Sequence, residues 1–149
     1  MLCQRRDTRG DGLAAAAPAA DGDGMSIGLG RLLEFPLARR QRALAARPHL
    51  SKKEFIDQTA STDLGRAAAA LLWDKLVVLK LCDEFNPYPS DDLLKVYGLA
   101  EEDLDIDVVL DILNGLNCRI PDQATIDAIG PIDTPRDLIR LVEASGLDR

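Results

Sequence analysis

The 149-residue chain predicts an all-α fold on three observations. Apolar residues recur at helical spacing along its longest patterned stretches, and no stretch alternates as a strand would. Hydrophobic residues make up 46% of the chain but aromatics only 4%, so Leu, Ile, Val and Ala must build the core. That balance suits helices better than a β-sandwich, which draws on more aromatic and β-branched residues. Capping residues also stand directly ahead of the patterned stretches. The length fits one domain plus tails.

Residues 1–24 are rich in Ala, Gly and Asp without periodicity, which predicts a disordered, flexible N-terminal extension. Residues 25–50 read as a basic linker or short helix, around Gly30–Leu33 and Leu37–Ala46, broken by Pro36 and ended before Pro48. The acidic helical domain then spans 51–149. It opens at Ser51-Lys52-Lys53-Glu54, a capping box that starts a short helix to about Gln58. Ser61, Thr62 and Asp63 cap a long helix through about Glu84, with Leu64, Ala68, Leu71, Leu72, Leu76 and Leu79 on its apolar stripe. Trp73, Val77, Val78 and Leu81 widen the stripe, so this helix is expected to be covered on more than one side, by other helices or by a second subunit in a homodimer.

Asn86-Pro87-Tyr88-Pro89-Ser90 predicts a stiff extended link, and Ser90 with Asp91 and Asp92 the start of a short helix closed by Gly98. Glu101–Leu116 reads as a third substantial helix, with Ile106, Val109, Leu110, Leu113 and Leu116 inward and carboxylates crowding its first turns. Pro121-Asp122 begins a short helix before Gly130-Pro131. Thr134, Pro135 and Asp137 combine N-cap, first-turn proline and favourable acid for a last helix ending at Gly146.

Charge is divided along the chain. Residues 1–53 carry ten Lys/Arg against five Asp/Glu, or +5; residues 54–149 carry eight against twenty, or −12; together they give the net −7. An acidic domain repels nucleic acid, whose affinity comes from cations neutralising phosphates, and suits a basic protein surface instead. The cations Arg39, Arg40, Arg42, Arg47, Lys52 and Lys53 could touch an acidic partner or anionic lipid, but charge runs favour reading them as a solvated face beside a flexible tail. Cys3, Cys82 and Cys118 form no C-x-x-C pair, which offers neither a zinc site nor a redox motif and points to a reducing, cytoplasmic setting. No apolar run reaches membrane-spanning length, and Asp7 and Asp11 spoil a signal peptide.

Catalytic signals are sparse. His49 is the sole histidine, in a linker between Pro48 and Leu50, without a hydroxyl or thiol partner in view. Asp103, Asp105 and Asp107 mimic the first ligands of a calcium loop, but its glycine and final glutamate are replaced by Val108 and Asn114. Gly28-Leu29-Gly30 lacks the third glycine and preceding strand of a phosphate loop. The chain is therefore expected not to be an enzyme and to need no cofactor or metal.

Taken in order, the pieces from Asp63 to Val142 resemble an acyl carrier protein. The long helix from Asp63 resembles that family's first helix, and Ser90-Asp91-Asp92-Leu93 its loop. Asp103-Leu104-Asp105 resembles the D-S-L-D entry of its second helix. Ile120-Pro121-Asp122 matches the entry to its third helix, and Ile132-Asp133-Thr134-Pro135-Arg136-Asp137-Leu138-Ile139 the entry to its last. The resemblance implies a small acyl-carrier-like helical bundle. The chain departs from the family where phosphopantetheine attaches: the serine position holds Glu102 or, with a one-residue shift, Asp103, and neither has a hydroxyl for the phosphodiester. Carrier activity is therefore not implied. What the resemblance does imply is an acidic second helix that docks on basic partners, here Glu101, Glu102, Asp103, Asp105, Asp107 and Asp111. The resulting expectation is a non-catalytic, acidic protein-interaction module; the alternative is an acidic inhibitor or immunity-type protein that neutralises a basic enzyme.

Overall fold

The computed structural model describes the chain from Leu29 to Leu147, with side chains from Phe35 onward except those of Leu104, Asp105 and Ile106. The expected disordered tail, residues 1–24, lies outside the described residues. Over the described residues the fold is all-helical. The elements are α1 (Leu29–Leu44), α2 (Lys52–Thr59), α3 (Asp63–Val78), α4 (Leu93–Tyr97), α5 (Glu101–Asp103), a π-helical turn (Leu104–Val109), α6 (Leu110–Gly115), α7 (Gln123–Ile129) and α8 (Pro135–Ser145). The one pairing of extended backbone among these residues is an isolated antiparallel bridge between Cys118 and Leu147.

Helix α3 is the centre, packed by α2, α6 and α8, while α7 lies on α8 and α1 on α4. Its inward residues Ala68, Ala69, Leu72 and Leu76 are fully buried, as are Ile112 and Leu113 from α6 and Leu138, Ile139 and Val142 from α8. Phe55 of α2 closes one end, its ring edge-on to Trp73 at 5.2 Å between centroids. Each fully buried Leu, Ile, Val or Phe among them contributes roughly 1.5–3 kcal/mol by leaving water.

Local chemistry sets most helix ends. Ser51 and Glu54 form the expected capping box, and so do Thr134 and Asp137, with Pro135 in the first turn of α8. Asp122 caps α7 through the Thr125 amide at 2.8 Å. Gly98 ends α4 at φ +72°, a left-handed turn that favours glycine, and a Cβ there would push against the Leu37 Cδ1 methyl of α1 at 2.8 Å. After α6, Asn117 takes the left-handed position at φ +52° while the Cys118 amide donates back to the Leu113 carbonyl.

Three expectations need correction. Helix α1 runs unbroken through Pro36, which sits exposed on its outer side, where water can satisfy the carbonyl that the ring leaves without a donor. Helix α3 stops at Val78 rather than near Glu84, because the Leu81 amide donates to Gln41 Oε1 at 2.7 Å instead of continuing the helical ladder. Asp92, not Ser90, is the N-cap of α4, accepting from the Lys95 amide at 2.8 Å. As expected, α3 is covered on more than one side by other helices, though within the single chain Val78 is 82% exposed, and Val77 and, beyond the helix end, Leu81 are also exposed.

Helix α1 is docked through polar contacts. Gln41 is fully buried, donating to the Leu79 and Val96 carbonyls at 3.2 and 3.0 Å while accepting from Leu81. Just beyond α1, Arg47 reaches Asp91 with Nη1–Oδ1 at 2.5 Å and lies 3.9 Å over the Tyr88 ring centroid.

At the other end, Glu143 of α8 caps α3. Its carboxylate accepts from the amides and hydroxyls of Ser61 and Thr62, each at 2.9 Å. Partial burial works to raise the Glu143 pKa, but these hydrogen bonds outweigh it and hold the carboxyl below the ordinary glutamate range. Gly65 leaves the space for it: a Cβ would stand 1.9 Å from Glu143 Oε1. Because the folded-state pKa is depressed, this stabilisation is present above the unfolded value and is lost as pH falls through the folded one. Glu143→Gln is thus expected to lower stability at neutral pH, with the gap to wild type closing below about pH 4. Gly65→Ala should reproduce that pH dependence by displacing the same carboxylate. Denaturant midpoints across pH test this, and a gap independent of pH would contradict it.

Leu76 and Leu113 face each other's helices and are both fully buried. Truncating either to Ala should cost about 2–5 kcal/mol by chemical denaturation, the usual range for a buried leucine. A loss under about 1 kcal/mol at both would mean the α3–α6 packing is wrong.

Candidate functional site

The acidic segment predicted as a docking helix is built from three pieces. Helix α5 opens with Glu101, Glu102 and Asp103 in its first turn, all exposed, where the helix dipole favours negative charge. Asp103 Oδ2 also accepts from the Ala100 amide at 3.1 Å, the acidic half of a capping box.

The π-helical turn follows, widening the spiral for six residues before α6 resumes. Val108, Val109, Ile112 and Leu113 turn inward onto α3, which leaves Asp107 and Asp111 outward and exposed. Asp111 is held by Lys75 of α3, with Nζ–Oδ2 at 2.7 Å, both groups partly in water, where such a pair is worth about 0–1 kcal/mol. The Asp105 side chain lies outside the described residues. Of the six predicted docking carboxylates, Glu101, Glu102, Asp103, Asp107 and Asp111 are therefore all exposed. Among the described residues, no ion pair joins Glu101, Glu102, Asp103 or Asp107 to a cation.

Beside this surface is a feature that the sequence reading missed. A cleft of about 300 Å³ runs between the α4–α5 junction and the α7–α8 link, its apolar wall formed by Leu94, Leu99, Ile126 and Ile132, with Glu101 and Asp133 on its rim. Leu94 is 56% exposed and Ile126 37%. The signal was present in Leu93-Leu94-Lys95-Val96-Tyr97: a single helical turn that buries Leu93, Val96 and Tyr97 must present Leu94 outward. Two backbone bonds brace the cleft, from the Leu93 amide to the Asp133 carbonyl at 2.8 Å and from the Arg136 amide to the Pro89 carbonyl at 3.2 Å.

Other groups of chemical interest lie apart. His49 is exposed in the α1–α2 link. Cys118 is buried, and burial pushes its thiol up, away from the reactive thiolate. The Cys82 thiol donates to Glu84 Oε2 at 3.1 Å. Among the described residues, no cluster of His, Cys, Asp and Glu is arranged to hold a metal ion, and no helix is long and apolar enough to cross a membrane. Compared with protein-family models, with curated proteins and with solved structures, the chain matches none.

Proposed function

We propose that the chain is a non-catalytic, acyl-carrier-like protein without the prosthetic-group serine, acting as an acidic protein-interaction module. The observation that carries this reading is the outward surface of α5, the π-helical turn and α6, where Glu101, Glu102, Asp103 and Asp107 stand exposed with no cation paired to them among the described residues. Elsewhere on the surface carboxylates are tied to cations, as in Lys52–Asp74 and Arg66–Asp57, whereas Asp103 is held by the Ala100 amide instead. The helix order after Asp63 and the capped entries at Asp122 and Thr134 support the carrier-like part of the reading. The capping use of Asp103 supports the loss of the attachment site. The partner surface is basic, with an apolar side chain suited to the adjoining Leu94–Ile126 cleft.

An NMR titration of the full chain with a lysine-rich amphipathic peptide tests the reading. Shift changes are expected to concentrate on residues 101–111 and on Leu94 and Ile126, and to vanish in Glu102→Lys/Asp107→Lys while the melting temperature stays within about 2 °C of wild type, as for exposed surface changes. Binding should weaken as salt rises, because exposed charges are screened over about 8 Å at physiological ionic strength. Shifts spread evenly over Asp57, Asp74, Glu84 and the other surface carboxylates would overturn the proposal.

A further inference from the structure

The described chain carries a second surface, opposite in sign to the first. Buried Gln41 fixes which side of α1 faces inward, so Arg39, Arg40 and Arg42 stand on the outer side, all exposed, near Phe35, which is 76% exposed. Among the described residues, no ion pair joins these three arginines to a carboxylate. Arg42 acts on Glu84 only through space, after the hydrogen bond that the Cys82 thiol gives that carboxyl. Helix α1 is pinned against α4 by Gln41 and Arg47, so its basic side cannot swing across to meet the acidic surface of its own chain.

We propose that the outer side of α1 docks on the acidic surface of a second copy of this chain, head to tail. The proposal rests on the reading of residues 101–111 as a docking surface and names a partner for it. Charge complementarity selects the occupant: Arg39, Arg40 and Arg42 on one copy face Glu101, Glu102 and Asp107 on the next. The two patches are different, so the contact is heterologous, and a pair keeps one unused surface of each sign, the acidic one on one copy and the basic one on the other. Association therefore continues past the dimer, into a ring or an open chain. The contact is electrostatic and exposed, so it is salt-sensitive.

Sedimentation velocity on the full chain tests this. At about 0.02 M salt, where charges act over more than 20 Å, the weight-average mass should rise with concentration above the 16.2 kDa of one chain. At about 0.5 M salt it should return to that of the monomer. Arg39→Glu/Arg40→Glu/Arg42→Glu and Glu101→Lys/Glu102→Lys/Asp107→Lys should each be monomeric alone at low salt, with unchanged circular dichroism. Mixed in equal amounts they should associate again, because each reversed surface then meets its complement. A monomeric wild type at low salt would overturn the proposal, and so would association that survives both reversals, which would implicate the exposed Val78–Leu81 side of α3 instead. The arginine-reversed chain, titrated with the lysine-rich peptide, separates the two readings. Peptide binding at 101–111 without self-association in wild type sinks the head-to-tail contact alone, whereas absent peptide binding sinks the docking surface itself.

Discussion

The Asp91 carboxylate is the point on which the fold turns, because four donors from three separate segments converge on it. Arg47 gives it two hydrogen bonds, at 2.5 and 3.3 Å, from beyond the end of α1. The Tyr88 amide adds one from the proline-rich link, and the Tyr97 hydroxyl one from α4, both at 2.9 Å. The carboxylate is only 2% exposed, so its desolvation is expensive and must be offset by this full set of donors. Arg47 in turn donates to the Asn86 carbonyl and lies over the Tyr88 and Phe85 rings, so its charge is also compensated. Burial first, and then the neighbouring Asp91 charge, push the Tyr97 phenol far up, which keeps it a neutral donor to the carboxylate.

This junction determines where the acidic surface of residues 101–111 points. The link from Phe85 to Asp92 has almost no regular structure, yet Phe85, Pro87 and Pro89 are buried, and the backbone around them is held by Asp91 and Arg47. From there the Leu93 and Arg136 amides tie the start of α4 to the start of α8, which sets the cleft and, one turn later, the entry to α5. The acidic surface is thus aimed by contacts that lie outside it. The same junction holds α1 in place, and with it the cations that the head-to-tail contact uses.

What was legible in the sequence is what depends on neighbours within four residues. The capping boxes at Ser51 and Thr134, the cap at Asp122, the left-handed stop at Gly98 and the inward positions of α8 follow from local rules. The end of α3 was not legible, because apolar periodicity continues past Val78 and the chain is stopped by Gln41, 40 residues away from the Leu81 amide. The docking of α1 was hidden for the same reason: Arg47 reads as one more solvated cation until Asp91, 44 residues on, is brought beside it. For the candidate site, the sign of residues 101–111 was readable in the sequence, but the inward register was not: Val108 and Ile112 are buried where spacing pointed to Leu110, and the tether from Lys75 to Asp111 and the adjoining cleft arise only from tertiary packing. The π-helical turn has no local sequence signal that we can identify.

The central claim is that Arg47 and Asp91 act as one unit that makes α1 part of the domain, which a double-mutant cycle measures directly. Equilibrium unfolding of wild type, Arg47→Met, Asp91→Asn and the double variant at neutral pH should show Asp91→Asn costing about 3–5 kcal/mol, since it leaves the guanidinium without its counter-charge. The double variant should recover part of that loss, with a coupling energy of at least about 1.5 kcal/mol. Losses that simply add, to within about 0.5 kcal/mol, would contradict the account.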